Sequence, residues 1–366
     1  MDEKDNKTKA AGHGLLASAG LFREIWSAAY IGTACGNLPV LYLDITDRCN
    51  SACVACDKWK NNETGRRELS TEEITGLLPA LGRLGTRLVS IGGGEPTERK
   101  DLESCVSSFS NAGIAVHINT NGLSIDKEKA RALGDSGLSV AYVSMDHHTR
   151  EGYKSIRGVD GLNAASEAVR LFSSLPRPIP TGVNITVSRL NQNSLGEIAD
   201  YAASLGAAKI QFTPIHSHLQ HREMNKAELE ALFPTEPERL KVSLRHITRR
   251  LRKRGIETNS TFFIEHFECA YKPVRPIPCV AGCLFVTVDA FGGVMPCYEL
   301  QSGANIREMQ LDEILKSDQF RKQRACVRKC ATPCFDTGSA EPSIRFYPPY
   351  FLTHPFEILR QYRMHT

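Results

Sequence analysis

The sequence predicts an α/β fold with a mostly parallel sheet, followed by a small cysteine-rich unit. Three observations predict it. Short β-branched runs alternate with helical patterns through the middle of the chain, an order that forces parallel strands with crossover helices. The 366 residues are 41% hydrophobic, enough for ordinary cores in two or three folding units. Twelve cysteines fall mostly into two groups: Cys49, Cys53 and Cys56 behind the first run, and seven from Cys269 to Cys334, with Cys35 and Cys105 standing alone.

The runs are Val40 to Asp44, Leu88 to Ile91, Ala115 to Asn119, Val140 to Met145, Gly182 to Val187 and Lys209 to Thr213. Each is near-continuously apolar, as a strand covered on one or both faces should be. Ser70-Thr71-Glu72-Glu73 reads as a capping box, and Ile74, Leu77, Leu78 and Leu81 follow at helical spacing. Amphipathic stretches near 100–112, 126–137, 161–173 and 193–205 fill the other gaps. A doubly wound sheet and a barrel both accommodate six such units, and both gather chemistry at the carboxyl ends of the strands.

Charge narrows the function classes. The 45 basic and 41 acidic side chains leave a net +4, too balanced for a nucleic-acid binder. The basic stretch Arg239 to Arg254 interleaves Leu240, Val242, Leu244, Ile247 and Leu251, so its charges read as the wet face of an amphipathic helix. No run approaches the ~20 apolar residues of a membrane span, and Met1 to Lys9 is polar, so a cytoplasmic location is expected. In that reducing compartment cysteines serve as metal ligands or redox-active thiols. Beyond residue 265 comes a hairpin-like segment, Phe285 to Cys297, with Gly292-Gly293 at its turn. The tail from Ile344 (Phe346, Tyr347, Tyr350, Phe351, Phe356) reads as packing against a barrel end.

Cys49, Cys53 and Cys56 offer three thiolates on one loop after the first strand. Three soft ligands suit a four-iron cubane with one iron left open to a substrate. A structural zinc completed from elsewhere is the alternative.

The Cys-x3-Cys-x2-Cys spacing, preceded by Leu43-Asp44-Ile45-Thr46-Asp47-Arg48, resembles the radical S-adenosylmethionine (radical SAM) superfamily. Gly93-Gly94-Glu95-Pro96 after the second run matches that family's GGEP segment, and the resemblance implies that its backbone holds the methionyl amino group. Ser144, ending the fourth run, and Arg157 are similar to the family's ribose-contacting Ser and carboxylate-contacting Arg. Asn121-Gly122 and Asn184 also fall where such enzymes face the active site. The resemblance covers roughly residues 38–260 and implies a partial (β/α)6 TIM barrel with a small cysteine-rich C-terminal iron–sulfur domain. It implies a [4Fe-4S] cluster chelated by S-adenosyl-L-methionine, an external electron donor such as flavodoxin or ferredoxin, and reductive cleavage to a 5'-deoxyadenosyl radical that abstracts hydrogen. One departure is Ala55, where the family commonly has an aromatic residue; Trp59 is near enough to pack on adenine, or packs the loop.

Cys279-x12-Gly292-x4-Cys297, followed by Cys326, Cys330 and Cys334, resembles the family's SPASM or shorter twitch extension. It implies one auxiliary [4Fe-4S] cluster on Cys279, Cys297, Cys330 and Cys334, with Cys326 or Cys283 as an alternative ligand and structural zinc as the other reading of the metal. The resulting layout is an N-terminal extension with a helix (1–37), the barrel (38–264), the auxiliary domain (265–340) and an aromatic tail (341–366). If a substrate radical is quenched by hydrogen donation, Cys105, Cys269 and Cys283 are the candidate donors. His147, His148, His216, His218 and His221 lie beyond strand ends, where acid–base work or a plain surface loop accounts for them. The stretch ahead of Cys49 looks short for a leader-binding domain, so a small polar substrate such as an aminosugar or cyclitol, to be oxidised or epimerised, is expected over a peptide. A peptide or protein maturase is the alternative, and a non-catalytic iron–sulfur or zinc module is the rival from another class.

Overall fold

The computed structural model describes residues 20, 23–33, 35–62, 65–215, 226–300, 303–355 and 357. Each run becomes a strand: β1 (Val40–Thr46), β2 (Leu88–Gly93), β3 (Ala115–Thr120), β4 (Val140–Ser144), β5 (Thr181–Val187) and β6 (Lys209–Pro214), with short β7 (Glu257–Thr258) behind them. Neighbours pair in parallel from β1 to β7, and the sheet does not close. Helices Leu102–Asn111, Lys127–Asp135, Leu162–Ser173 and Leu195–Ser204 form the crossovers. The capping box at Ser70 is present, with Glu73 N donating to the serine and the glutamate reaching back to Ser70 N.

The strands alternate more strongly than their composition suggests. Leu41, Leu43 and Ile45, then Val89 and Ile91, Val116 and Ile118, and Val183, Ile185 and Val187 are fully buried in the helix-covered core. Each such side chain stabilises the fold by roughly 2 kcal/mol. The residues between them, among them Tyr42, Asp44, Ser90, Asn119, Ser144, Asn184, Gln211 and Thr213, line the concave face. Slipping β1 by one residue would drive Tyr42 and Asp44 into the core, so the register is fixed.

The hairpin after residue 284 is part of the same sheet. β8 (Phe285–Val288) runs parallel to β1, with Val40 opposite Phe285 and Leu43 opposite Val288, and β9 (Val294–Met295) returns antiparallel. A barrel that stops short of closure leaves the β1 edge unpaired, and β8 satisfies it. Gly292 turns the hairpin with φ +89°, where a Cβ would overlap Asn305.

The segment after Cys334 then bridges the open side. Tyr42 OH on β1 donates to Gly338 O at 2.8 Å, Thr213 on β6 meets Thr337 at 3.0 Å, and Ser260 N donates to buried Glu341 at 2.7 Å. The aromatic tail packs on helix Thr261–Glu265: Phe262 meets Tyr347 and Tyr350 edge-on at 5.6 and 5.7 Å. Phe356 lies outside the described residues, as do His216, His218 and His221. The basic stretch forms helix Pro237–Lys253, burying Leu240, Leu244, Ile247 and Leu251; Val242 faces solvent. Residues 23–30 form a helix whose Ile25 and Ala29 pack against Val280, Phe285 and Val327. Among the described residues no helix is long and apolar enough to cross a membrane.

Candidate functional site

The loop leaving β1 is held from several sides, which fixes where its three cysteines stand. Glu68 accepts from Thr46 Oγ1 at 2.8 Å and Asp47 N at 2.7 Å; Asn62 accepts from Cys49 N at 2.9 Å and donates to Cys49 O at 2.9 Å. Buried Asn121 donates to Asn50 Oδ1 at 2.7 Å and Ser51 Oγ at 3.0 Å, tying the loop to the end of β3. Val54 N donates to Ile156 O at 2.9 Å. Cys49, Cys53 and Cys56 thus lie within one another's electrostatic reach. Burial pushes the Cys49 thiol up to about 11 and Cys56 to about 12, so each surrenders a proton on taking a metal at neutral pH.

The glycines of Gly93-Gly94-Glu95-Pro96 serve this loop directly. Gly94 N donates to Thr46 O at 2.8 Å and Glu95 N to Arg48 O at 2.7 Å. A Cβ on Gly93, whose φ is +113°, would overlap Thr46 O, and one on Gly94 would overlap Arg48 O. Glycine is therefore required for two backbones to touch. The Glu95 side chain points inward: it accepts from Thr97 N and Oγ1, Thr120 Oγ1 and Asn121 N at 2.6 to 3.2 Å. Burial pushes its carboxyl upward while these four donors pull it down. Its place is to clamp the β2 and β3 ends together, and Pro96, equally buried, opens the short helical turn beside it.

Ser144 and Asn184 sit opposite one another in register on the concave face. Asn184 Nδ2 approaches Asn119 Oδ1 at 3.4 Å, and Asn119 donates to Ser90 Oγ at 3.2 Å, giving a neutral polar ladder across β2, β3 and β5. Arg157, ending helix Arg150–Arg157, pairs with buried Asp146 at 2.7 Å and directs Nη1 to Cys53 Sγ at 3.6 Å. Gly158 follows with φ +69°, and a Cβ there would strike Ala52 O.

Sequence reasoning missed a charged group beside this loop. Lys58, two residues past Cys56, is ion-paired to Asp47 and to Asp44 at 3.2 Å, while Tyr298 OH donates to Asp44 at 2.9 Å. Tyr298 follows Cys297, so the first loop and the hairpin meet here. The proximity of Lys58 to the cysteine motif was the one available signal; the pairing of its partner Asp44 with a tyrosine far along the chain had none.

Cys279, Cys297, Cys330 and Cys334 come together as the second group, with Cys279 within electrostatic reach of the other three. Burial pushes Cys297 and Cys334 up to about 12. Asp336 folds the last loop, accepting from Ser339 N at 3.0 Å while Ser339 Oγ donates to Cys334 O at 3.1 Å. Arg275 donates to Cys334 Sγ at 3.1 Å. Among the described residues no three His, Cys, Asp or Glu side chains converge tightly enough for a single ion. In both groups the donors are thiols, the ligand type an iron–sulfur cluster takes.

The remaining candidates stand elsewhere. Cys283 faces Cys35 in a pocket with Ala28, and the two thiols hydrogen-bond to each other. Cys326 is exposed on helix Asp318–Lys329. Cys105 is fully buried on the sheet side of its helix, and Cys269 lies in the same apolar core, so neither reaches the concave face as a hydrogen donor should. His147 stacks on His148 and accepts from Thr149 N at 3.1 Å, which occupies it at the start of a helix. Trp59 is half-buried, with its indole Nε1 unpartnered among the described residues.

A model of the radical SAM superfamily matches residues 43–202, and one of the SPASM iron–sulfur cluster-binding domain matches residues 279–336. A PqqA peptide cyclase of Gluconobacter oxydans is 29% identical over 282 residues, 75% of each chain. A probable GTP 3',8-cyclase of Methanococcus vannielii is 29% identical over 265 residues, 70% of this chain and 83% of that one. Among solved structures, Streptococcus suis SuiB bound to its precursor peptide SuiA superposes with a TM-score of 0.64 at 17% identity, covering 78% of this chain and 66% of that one; the likeness is one of fold. The expectation of a small molecule over a peptide is corrected by the PqqA peptide cyclases, whose matches span about three quarters of the chain. The length ahead of Cys49 was its only support, and substrate class is not encoded there. The two domains imply a [4Fe-4S] cluster with S-adenosylmethionine and auxiliary cluster binding. The chain is a radical SAM protein with a C-terminal SPASM iron–sulfur domain.

Proposed function

We propose that this chain is a peptide-modifying radical SAM enzyme. The observation that carries the reading is the junction of two thiol groups on one sheet: the first leaves β1, and the second flanks the hairpin that pairs with β1, with a polar concave face beside both. The relatives named as peptide cyclases support a peptide as substrate. In this reading Cys49, Cys53 and Cys56 hold the catalytic cluster, and Cys279, Cys297, Cys330 and Cys334 hold the auxiliary one. The cluster and S-adenosylmethionine, when bound, supply a radical that removes a hydrogen atom from the substrate.

The chain's own residues hold and shield. Gly93 and Gly94 seat the cysteine loop, Glu95 locks the strand ends beneath it, and Arg157 adds a charge-balanced cation beside Cys53. Ser144 and Asn184 present neutral donors and acceptors to a ribose or a peptide amide. The division into a barrel (38–264) and an auxiliary unit (265–340), an external electron donor and a cytoplasmic setting belong to the same proposal; twelve free thiols suit a reducing compartment. The test is deuterium transfer: anaerobic enzyme with side-chain-deuterated peptides should place deuterium in 5'-deoxyadenosine. Deuterium arriving instead from deuterated aminosugars or cyclitols, and from no peptide, would contradict the peptide reading.

A further inference from the structure

Each thiol group carries one arginine on a sulfur, and the two differ in what balances them. At the first group, Arg157 is neutralised by Asp146 at 2.7 Å and stands 3.6 Å from Cys53 Sγ. At the second, Arg275 Nη2 donates to Cys334 Sγ at 3.1 Å, Nη1 lies 3.5 Å from Val327 O, and Cys279 and Cys330 lie within its field. No carboxylate ion-pairs with Arg275 among the described residues; Asp336 is the one acidic group that shares with it the field of Cys334 and Cys279, and it opposes Arg275 there. Its position is stiffly set: Pro273, Pro276 and Pro278 fix the backbone around it and lead straight into Cys279.

We propose that Arg275 is a positioning residue that sets the reduction potential of the auxiliary centre. The inference rests on the assignment of Cys279, Cys297, Cys330 and Cys334 as its ligands. A cluster bound by thiolates becomes more negative when it takes one electron, so a cation in direct hydrogen bond with a ligand sulfur, and in no ion pair, favours the reduced form and raises the potential against the opposing field of Asp336. Arg157, already neutralised by Asp146, exerts far less of this effect on the first centre.

The test uses the full chain carrying Cys49→Ala, Cys53→Ala and Cys56→Ala, so that only the auxiliary centre is loaded. Its midpoint is read by electron paramagnetic resonance during titration with dithionite, which supplies the single electron. Arg275→Met should shift the midpoint to more negative potential at unchanged iron content, and Arg275→Lys, which keeps the charge without the forked donor, should recover part of that shift. An unchanged or more positive midpoint in Arg275→Met overturns the proposal. Should Arg275→Met lose its iron, Arg275→Lys carries the test alone: a negative shift supports the proposal and an unchanged midpoint overturns it. A parent variant holding no iron would instead overturn the ligand assignment.

Discussion

At the residue scale, Glu95 and His117 show how burial constrains this barrel from within. Glu95 spends four hydrogen bonds on the ends of β2 and β3. Glu95→Gln turns one acceptor into a donor facing other donors and should destabilise the fold by about 2 kcal/mol in urea unfolding. His117, on the concave face of β3, is held down to about 3 by burial and by the cations Lys209 and Arg345. The unfolded chain binds its proton near pH 6.5 while the folded one does not. Stability is therefore fully present above pH 6.5 and is lost as pH falls toward 3, by about 2 kcal/mol between pH 7 and 5. Urea midpoints of wild type and His117→Gln at the two pH values check this, the variant showing the shallower dependence. The GGEP motif was legible as a string, but a string does not say which atoms face a ligand. Its glycines serve backbone apposition and its glutamate serves the fold.

At the scale of elements, six β-branched runs were enough to place six strands, because each buries one whole face under a helix. The pairing of β8 with β1 was not legible: the strands lie more than 240 residues apart, and edge pairing leaves no local periodicity. A similar distance hid Tyr298 on Asp44, and 59 residues separate Arg275 from Cys334. Three substitutions separate loop-seating and ligand residues from bystanders. Gly94→Ala, whose Cβ has no room against Arg48 O, should lose the first centre's share of iron and keep the second's. Cys283→Ser, in the pocket with Cys35, should keep all of it, whereas Cys297→Ala should lose the auxiliary share. Iron quantified per chain after anaerobic reconstitution gives each answer.

At the scale of the whole molecule, the two halves form one surface. The sheet runs from β7 through β1 to β9, and the segment after Cys334 returns to touch both β1 and β6. The second thiol group is thereby built onto the same frame as the first, as transfer between a substrate and two redox centres requires. The family was legible from the first cysteine loop because the spacing of Cys49, Cys53 and Cys56, together with the GGEP string, resembles the family's motifs. Substrate class was not, since it depends on a concave face assembled from six strands. The central claim is cleavage at the first loop. The direct measurement is 5'-deoxyadenosine formed by the iron-loaded protein with dithionite and S-adenosylmethionine under anaerobic conditions, beside the variant with Cys49, Cys53 and Cys56 replaced by alanine. Product from the wild type alone is the predicted result; a wild type with its full iron that forms no more than the variant would contradict the account.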